Sequence, residues 1–349
     1  MRTNTLWIIL ITFLLLLLSG CDGEPVRSTN GDGFFSSENL DAAKNYSIDQ
    51  TDGNALIIWQ DGDILLEEYE GVTAQIPLPI LGATKSFAGM LAAFGVREGR
   101  FNYDDRIGQI IPNWEQFSDR GEITVRELLN LTSGLRTVPQ EIIQNQTPQV
   151  WNGTNMEFTR GSTFSYGPTP FYIFSWIHLD ILQVNPVIAL NNNLFEPLGL
   201  NSWAWEFQLA GRFPNLSYGL SLQPRELLEI GKMFNNGGTL NGVEIFTSSQ
   251  LNQMLAPSSA APGYTTTFWL NTIVDQDSNF INRLPERIFN AVTSNRLISE
   301  DAPSDLYMMA GDFGQRLYII PSQDLVIVRY GSIESSMYND HEFFSRLYN

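Results

Sequence analysis

One cysteine and two histidines, Cys21, His178 and His341, are the only thiol and imidazole groups in this 349-residue chain. A single thiol forms no internal disulfide and no cysteine-based zinc site. Two imidazoles are too few for a multi-histidine metal centre, so neither a metal nor a cofactor is expected. A Ser-His-Asp relay is unsupported. His178 follows the apolar run Ile173–Ile177 and reads as a core residue, while His341 falls in a terminal amphipathic segment. The chemistry therefore depends on where Cys21 stands and on which elements bring other side chains together.

Cys21 stands directly behind a leader. Arg2 gives a positive start, and Leu6 to Leu18 is apolar apart from Thr12. That run is shorter than the roughly 20 residues of a membrane helix and has the length of a secretion-signal core. Leu18-Ser19-Gly20-Cys21 resembles a bacterial lipobox, in which the cysteine is lipidated and becomes the new N-terminus; an ordinary signal peptide or membrane anchor with an incidental cysteine is the alternative. Acyl chains on Cys21 supply membrane affinity, giving a periplasm-facing, lipid-anchored protein of the bacterial envelope. Asp22 resembles the inner-membrane retention signal of enteric bacteria and slightly favours that membrane. Residues 1–20 are expected as signal peptide, 21–45 as a Gly/Ser/Asn/Asp-rich tether, and 46–349 as the folded domain.

The formal charge is −18, from 20 Lys plus Arg against 38 Asp plus Glu. A nucleic-acid partner needs clustered cations to meet phosphates, and no such cluster is present. Hydrophobic residues make up 43% of the chain, enough for a large core. Ala55–Trp59 and Ile64–Tyr69 flank Asp61-Gly62, a hairpin signal. A helix is expected from about residue 83 to Glu98, with Phe87, Met90, Leu91 and Phe94 as one buried stripe and Gly99 ending it. Pro224 to Phe234 reads as a helix with proline in its first turn. From about residue 263 the pattern turns β-rich, with strands at Arg316–Ile320 and Leu325–Tyr330 and a last helix built on Phe343, Phe344 and Leu347. Strands at both ends imply one sheet made by both termini. The α/β part is expected over about 50–100 and 263–349, with a helical insertion over about 104–260.

Six stretches follow one another along the chain: Ala83–Phe87, Ile123–Leu135, Leu194–Leu200, Pro224–Leu227, Asn236–Gly242 and Gly314–Pro321. Together they resemble the serine β-lactamase and penicillin-binding-protein-like hydrolases, specifically the class C-related group with esterases and 6-aminohexanoate-dimer hydrolases. The resemblance runs from about Asn54 to the C-terminus. It implies an α/β (α+β) fold of the β-lactamase/transpeptidase type, an antiparallel sheet flanked by helices with an inserted mainly helical region.

It also implies a Ser-x-x-Lys motif at a helix start, where residues i and i+3 share a face, the helix dipole favours the nucleophile, and a partly neutral lysine takes the serine proton. A tyrosine shares the proton traffic and two backbone N–H groups hold the oxyanion. Here the motif reads Gly82-Ala83-Thr84-Lys85. Lys85 matches, but the nucleophile position is Gly82, which has no side chain; glycine is acceptable at a helix N-cap, so the fold should tolerate it. Tyr166, in Phe164–Pro168, fits the catalytic tyrosine, with Pro168 where the family has asparagine. Met309-Ala310-Gly311 stands for the third motif, on an edge strand. Gly311 lets a ligand approach the backbone, Met309 removes a polar group, and the following Asp312 would offer the second oxyanion N–H.

No neighbour replaces the missing hydroxyl. Ser86 and Thr84 point about 100° from Lys85 on a helix, and Ser165 is a poor candidate beside Tyr166. The favoured expectation is a hydrolase fold that has lost its nucleophile and keeps a cleft for a small-molecule or cell-wall ligand. A working esterase or amidase, using an unusual nucleophile or a Lys85-activated water, is the alternative, and a purely structural envelope protein is a third.

Overall fold

The computed structural model describes residues 34–349 except 113, 118, 140–154, 209–211 and 334–336. The chain divides into two units, Met1–Phe34 and Phe35–Asn349. The leader, Cys21, Asp22 and the start of the expected tether lie outside the described residues. The elements below belong to the second unit.

Helix α1 (Ser37–Lys44) occupies the end of the segment expected as tether. Ser36 caps it by accepting from the Asn39 amide, and the chain continues through a π-helical turn, Asn45–Gln50. Phe35 and Ala43 are buried, with the Phe35 ring 5.2 Å from Tyr348. Polar composition suggests a solvated linker, but a good N-cap and two buried anchors, Phe35 and Ala43, hold residues 35–45, α1 among them, against the folded domain.

The hairpin expected at Asp61-Gly62 joins β1 (Gly53–Gln60) to β2 (Asp63–Tyr69). Asp61 and Gly62 both have positive φ, 48° and 96°, as a type I′ turn demands. After β3 (Leu78–Pro79) the chain makes a 3₁₀ turn, Leu81–Thr84, and enters α2 (Lys85–Arg97). Gly99, at φ 68°, ends the helix as expected. The expected stripe is buried, but so is every residue from Lys85 to Gly95. α2 is an interior helix, packed so closely that a Cβ on Gly89 would lie 2.2 Å from Thr267 Oγ1.

Further on come α3 (Thr169–Trp176), β4 (Trp203–Trp205), β5 (Leu220–Leu222) and α4 (Pro224–Asn235). The chain closes with β6 (Trp269–Leu270), β7 (Tyr307–Gly311), β8 (Gln315–Ile320), β9 (Leu325–Gly331) and α5 (Asp340–Tyr348). The main sheet runs β6-β7-β8-β9-β1-β2, antiparallel throughout, with β3, β5 and β4 in a small second sheet. β9 pairs with β1, Gln60 opposite Leu325 and Ala55 opposite Tyr330, so the two ends of the domain share one sheet. Gly231 brings α4 against Leu317 and Val326 on one face. On the other, α5 stacks Phe343 on Tyr318 and sets Phe344 edge-on to it. α4 thus belongs to the sheet layers rather than to the insertion in which the sequence placed it. Between about 263 and 306 the only named strand among the described residues is the two-residue β6, where a β-rich stretch was expected.

Two arginines face each other across β8 and β9, Arg316 opposite Arg329, and both are fully buried. Arg316 makes a bidentate pair with Asp340 (Nε–Oδ1 2.7 Å, Nη2–Oδ2 3.1 Å) and donates to the Gly311 carbonyl at 2.8 Å. Arg329 donates instead to Ser47, Thr51 and Gly314 oxygens and lies 3.8 Å from the Tyr338 ring centre. Removing one partner of a buried pair leaves an uncompensated charge. Asp340→Asn is therefore expected to cost about 3–5 kcal/mol in urea unfolding; a loss under about 1 kcal/mol would contradict this view of the network.

Candidate active site

Lys85 is the first residue of α2, and the turn before it sets the geometry. Gly82 lies in the 3₁₀ turn rather than at a helix N-cap. Residues i and i+3 eclipse in a 3₁₀ turn, so Gly82 and Lys85 fall on one side. Thr84 and Ser86 turn elsewhere: Thr84 Oγ1 accepts from the Leu220 amide at 3.2 Å, and Ser86 Oγ donates to the Thr267 carbonyl at 2.7 Å. Ser165 Oγ sits 3.4 Å from Thr137 Oγ1.

Lys85 is 1% exposed. Its amine donates to the Ser217 carbonyl at 3.2 Å and lies 4.1 Å from the Tyr218 ring centre, 4.6 Å from Tyr166 and 5.5 Å from Phe171. Among the described residues no hydroxyl lies within hydrogen-bonding distance of it. Burial lowers its pKa to about 7, against a weaker upward pull from Asp312. Phe171 comes from α3, whereas Tyr218 sits on a turn in which Asn215 Oδ1 accepts from the amides of Ser217 and Tyr218.

Tyr166 faces Gly82. Its hydroxyl is buried without a hydrogen-bond partner and lies 2.8 Å from where a Cβ on Gly82 would stand. Gly311 closes the other side, its Cα 3.3 Å from that point. A Cβ on Gly311 would in turn fall 2.3 Å from the Ile80 carbonyl oxygen, so glycine here is a requirement of close backbone approach. β6 pairs only with Tyr307 and Met308 of β7, so Met309–Gly311 extends past it beside the site; the sheet's edge strand is β6, not β7. Asp312, 4% exposed, turns inward: Tyr218 Oη donates to its Oδ2 at 3.4 Å. Burial raises the Asp312 carboxyl above the usual range, with Lys85 and then Arg287 opposing. Burial, then Tyr218 and Asp312, raises the Tyr166 phenol.

Gly82, Lys85, Tyr166, Gly311 and Asp312 thus converge. Tyr218, Phe171 and Ser217 are additions that the sequence did not single out; the only local trace was the Asn215 turn. The histidines stay apart from the cluster. His178 packs between Phe101 and Phe174, with Nδ1 3.1 Å from the Phe174 carbonyl and a pKa lowered by burial to about 4. His341 meets Ser299 Oγ (3.0 Å) and Asp301 (3.5 Å) through the same Nδ1, which is not the arrangement of a relay. Among the described residues no group of three His, Cys, Asp or Glu side chains is placed to hold a metal.

A family model described as Beta-lactamase matches residues 42–342. No match is found among curated proteins. Several solved structures share the fold. A class C beta-lactamase from Rhodobacter sphaeroides is 17% identical, with 89% of this chain and 97% of that one covered and a TM-score of 0.63. D-alanine carboxypeptidase AmpC from Burkholderia cenocepacia is 14% identical, with 89% and 97% covered and a TM-score of 0.62. A family VIII carboxylesterase is 12% identical, with 89% and 96% covered and a TM-score of 0.67.

Proposed function

Because the chain belongs to the beta-lactamase family, we propose that it is a disarmed member of that hydrolase family, held to the bacterial envelope by acylated Cys21 and facing the periplasm. The inner membrane is favoured through Asp22. One observation carries the loss of catalysis: the nucleophile position is Gly82, and the Tyr166 hydroxyl stands 2.8 Å from the point where a side chain would begin. An acyl-enzyme needs a hydroxyl there. What remains is a buried polar cluster, which we assign to binding a small-molecule or cell-wall ligand rather than turning it over.

The working-hydrolase alternative has one feature in its favour. A Lys85 amine lowered to about 7 is about half neutral at neutral pH and chemically able to take a proton from water. A short-chain chromogenic ester and a fluorescent penicillin separate the readings. The disarmed protein gives background ester turnover, unchanged in Lys85→Ala, and no covalent adduct by intact mass. Turnover well above background that Lys85→Ala abolishes would replace it with hydrolysis by a lysine-activated water.

A further inference from the structure

At the end of β7 away from Gly311, a cavity of about 550 Å³ opens beside Tyr307. Its walls are largely apolar: Leu255, Leu270, Ile273, Leu306 and the Tyr307 ring. Ile273, 71% exposed, forms part of the cavity's rim. Two opposite charges also line the cavity, Arg296 and Asp305. Arg296 donates through Nη1 to the Asn271 carbonyl at 2.8 Å and has no carboxylate within ion-pair distance among the described residues. Asp305 takes the Ser322 amide and hydroxyl at 2.7 and 2.8 Å. A carboxylate has room for further donors beyond two. None of these residues belongs to the Gly82 cluster.

The volume falls in the range of small-molecule sites, where apolar walls supply affinity and a few polar groups fix orientation. A simple fatty acid would satisfy Arg296 and leave Asp305 opposing it. A zwitterion with an apolar body matches both charges and the walls. We propose that this cavity binds a short apolar peptide with free ends, its carboxylate on Arg296 and its ammonium on Asp305.

Calorimetric titration of the full-length protein in detergent tests this with the dipeptide Leu-Leu as probe. Saturable binding is expected. Amidating the C-terminus or acetylating the N-terminus should each weaken it about ten-fold or more, as for loss of a charge-assisted contact. Arg296→Gln should bind Leu-Leu as weakly as native protein binds the amide, with no further loss for the amide itself. Asp305→Asn, which keeps an oxygen for Ser322, should behave likewise toward the acetylated peptide. Far-UV circular dichroism checks that both variants are folded. Absence of saturable binding, equal binding of capped peptides, or tighter binding of decanoate than of Leu-Leu would each overturn the assignment. The readout involves neither Gly82 nor turnover, so its failure leaves the proposed function standing, and the reverse also holds.

Discussion

Lys85→Met is expected to stabilise the protein by about 3 kcal/mol at pH 7. Lys85 is fully buried, and burial moves its pKa from 10.5 to about 7. At about 1.4 kcal/mol per unit, that shift corresponds to at most about 5 kcal/mol of destabilisation from the charged form. Methionine fills similar space without the charge but forgoes the contacts with three rings and the Ser217 carbonyl, so the gain falls below that ceiling. The pH dependence identifies the cause. The unfolded chain keeps the lysine proton to about 10.5, the folded chain only to about 7. Between those values the unfolded state binds more protons, so native stability rises with pH. Below about 7 both states are charged and the cost is at full size; above about 10.5 both are neutral and it vanishes. Urea unfolding of both proteins at several pH values between 6 and 10 reads this directly. The variant's advantage should shrink as pH rises, and the difference between the two proteins reports Lys85 together with Asp312, the carboxyl coupled to it. An advantage independent of pH, or a variant less stable than the native chain, would sink this account.

A cost of that size has a structural source the sequence could show only in part. The Lys85 position, Gly82 and the partners Tyr166, Gly311 and Asp312 were legible because short motifs keep fixed spacing within a resemblance. Local rules also gave the β1–β2 hairpin, where Asp61-Gly62 has the positive φ its turn needs, and α4, opened by Pro224 and closed by Asn235 and its glycines. What escaped depends on contacts far apart in the chain. Tyr218 meets Lys85 across more than a hundred residues, and its Asn215 turn marks a bend in the chain, not a partner for the lysine. Arg316 and Arg329 fall in the two strands the sequence marks, but nothing local shows that they are buried; their burial rests on Asp340, Ser47 and Thr51, which only the closed sheet brings to them. α1 was read as tether because its polar composition outweighed a cap at Ser36 and anchors at Phe35 and Ala43. From 263 to 306, apolar content suggested strands, but most of it packs as turns around Trp269 and Phe280, with rings such as Phe164 and Phe289 in contact.

Gly82→Ser is expected to create a covalent intermediate where the native chain forms none. The new Oγ would stand on the same side of the turn as Lys85, an amine able to accept its proton near neutral pH. Turnover of a short-chain ester should rise at least about 100-fold over native, with an acyl adduct on the introduced hydroxyl visible by intact mass. Steric room limits the gain. The new Cβ begins 2.8 Å from the Tyr166 hydroxyl, closer than such contacts tolerate, so that ring must retreat by a few tenths of an ångström. Its unpartnered hydroxyl would gain a bond to Oγ in return, an exchange that offsets part of the strain. Gly82→Ala separates the two effects, because it carries the same Cβ without a hydroxyl. It should lose about 1–2 kcal/mol of stability by crowding and gain no turnover. Adding Tyr166→Phe to Gly82→Ser relieves the crowding but removes a proton-handling group. If Tyr166 only obstructs, the double variant outperforms the single one; if it shares the proton, activity drops. Equal turnover in the native protein and Gly82→Ser, with no adduct in either, would mean that the vacancy at position 82 is not what silences this fold.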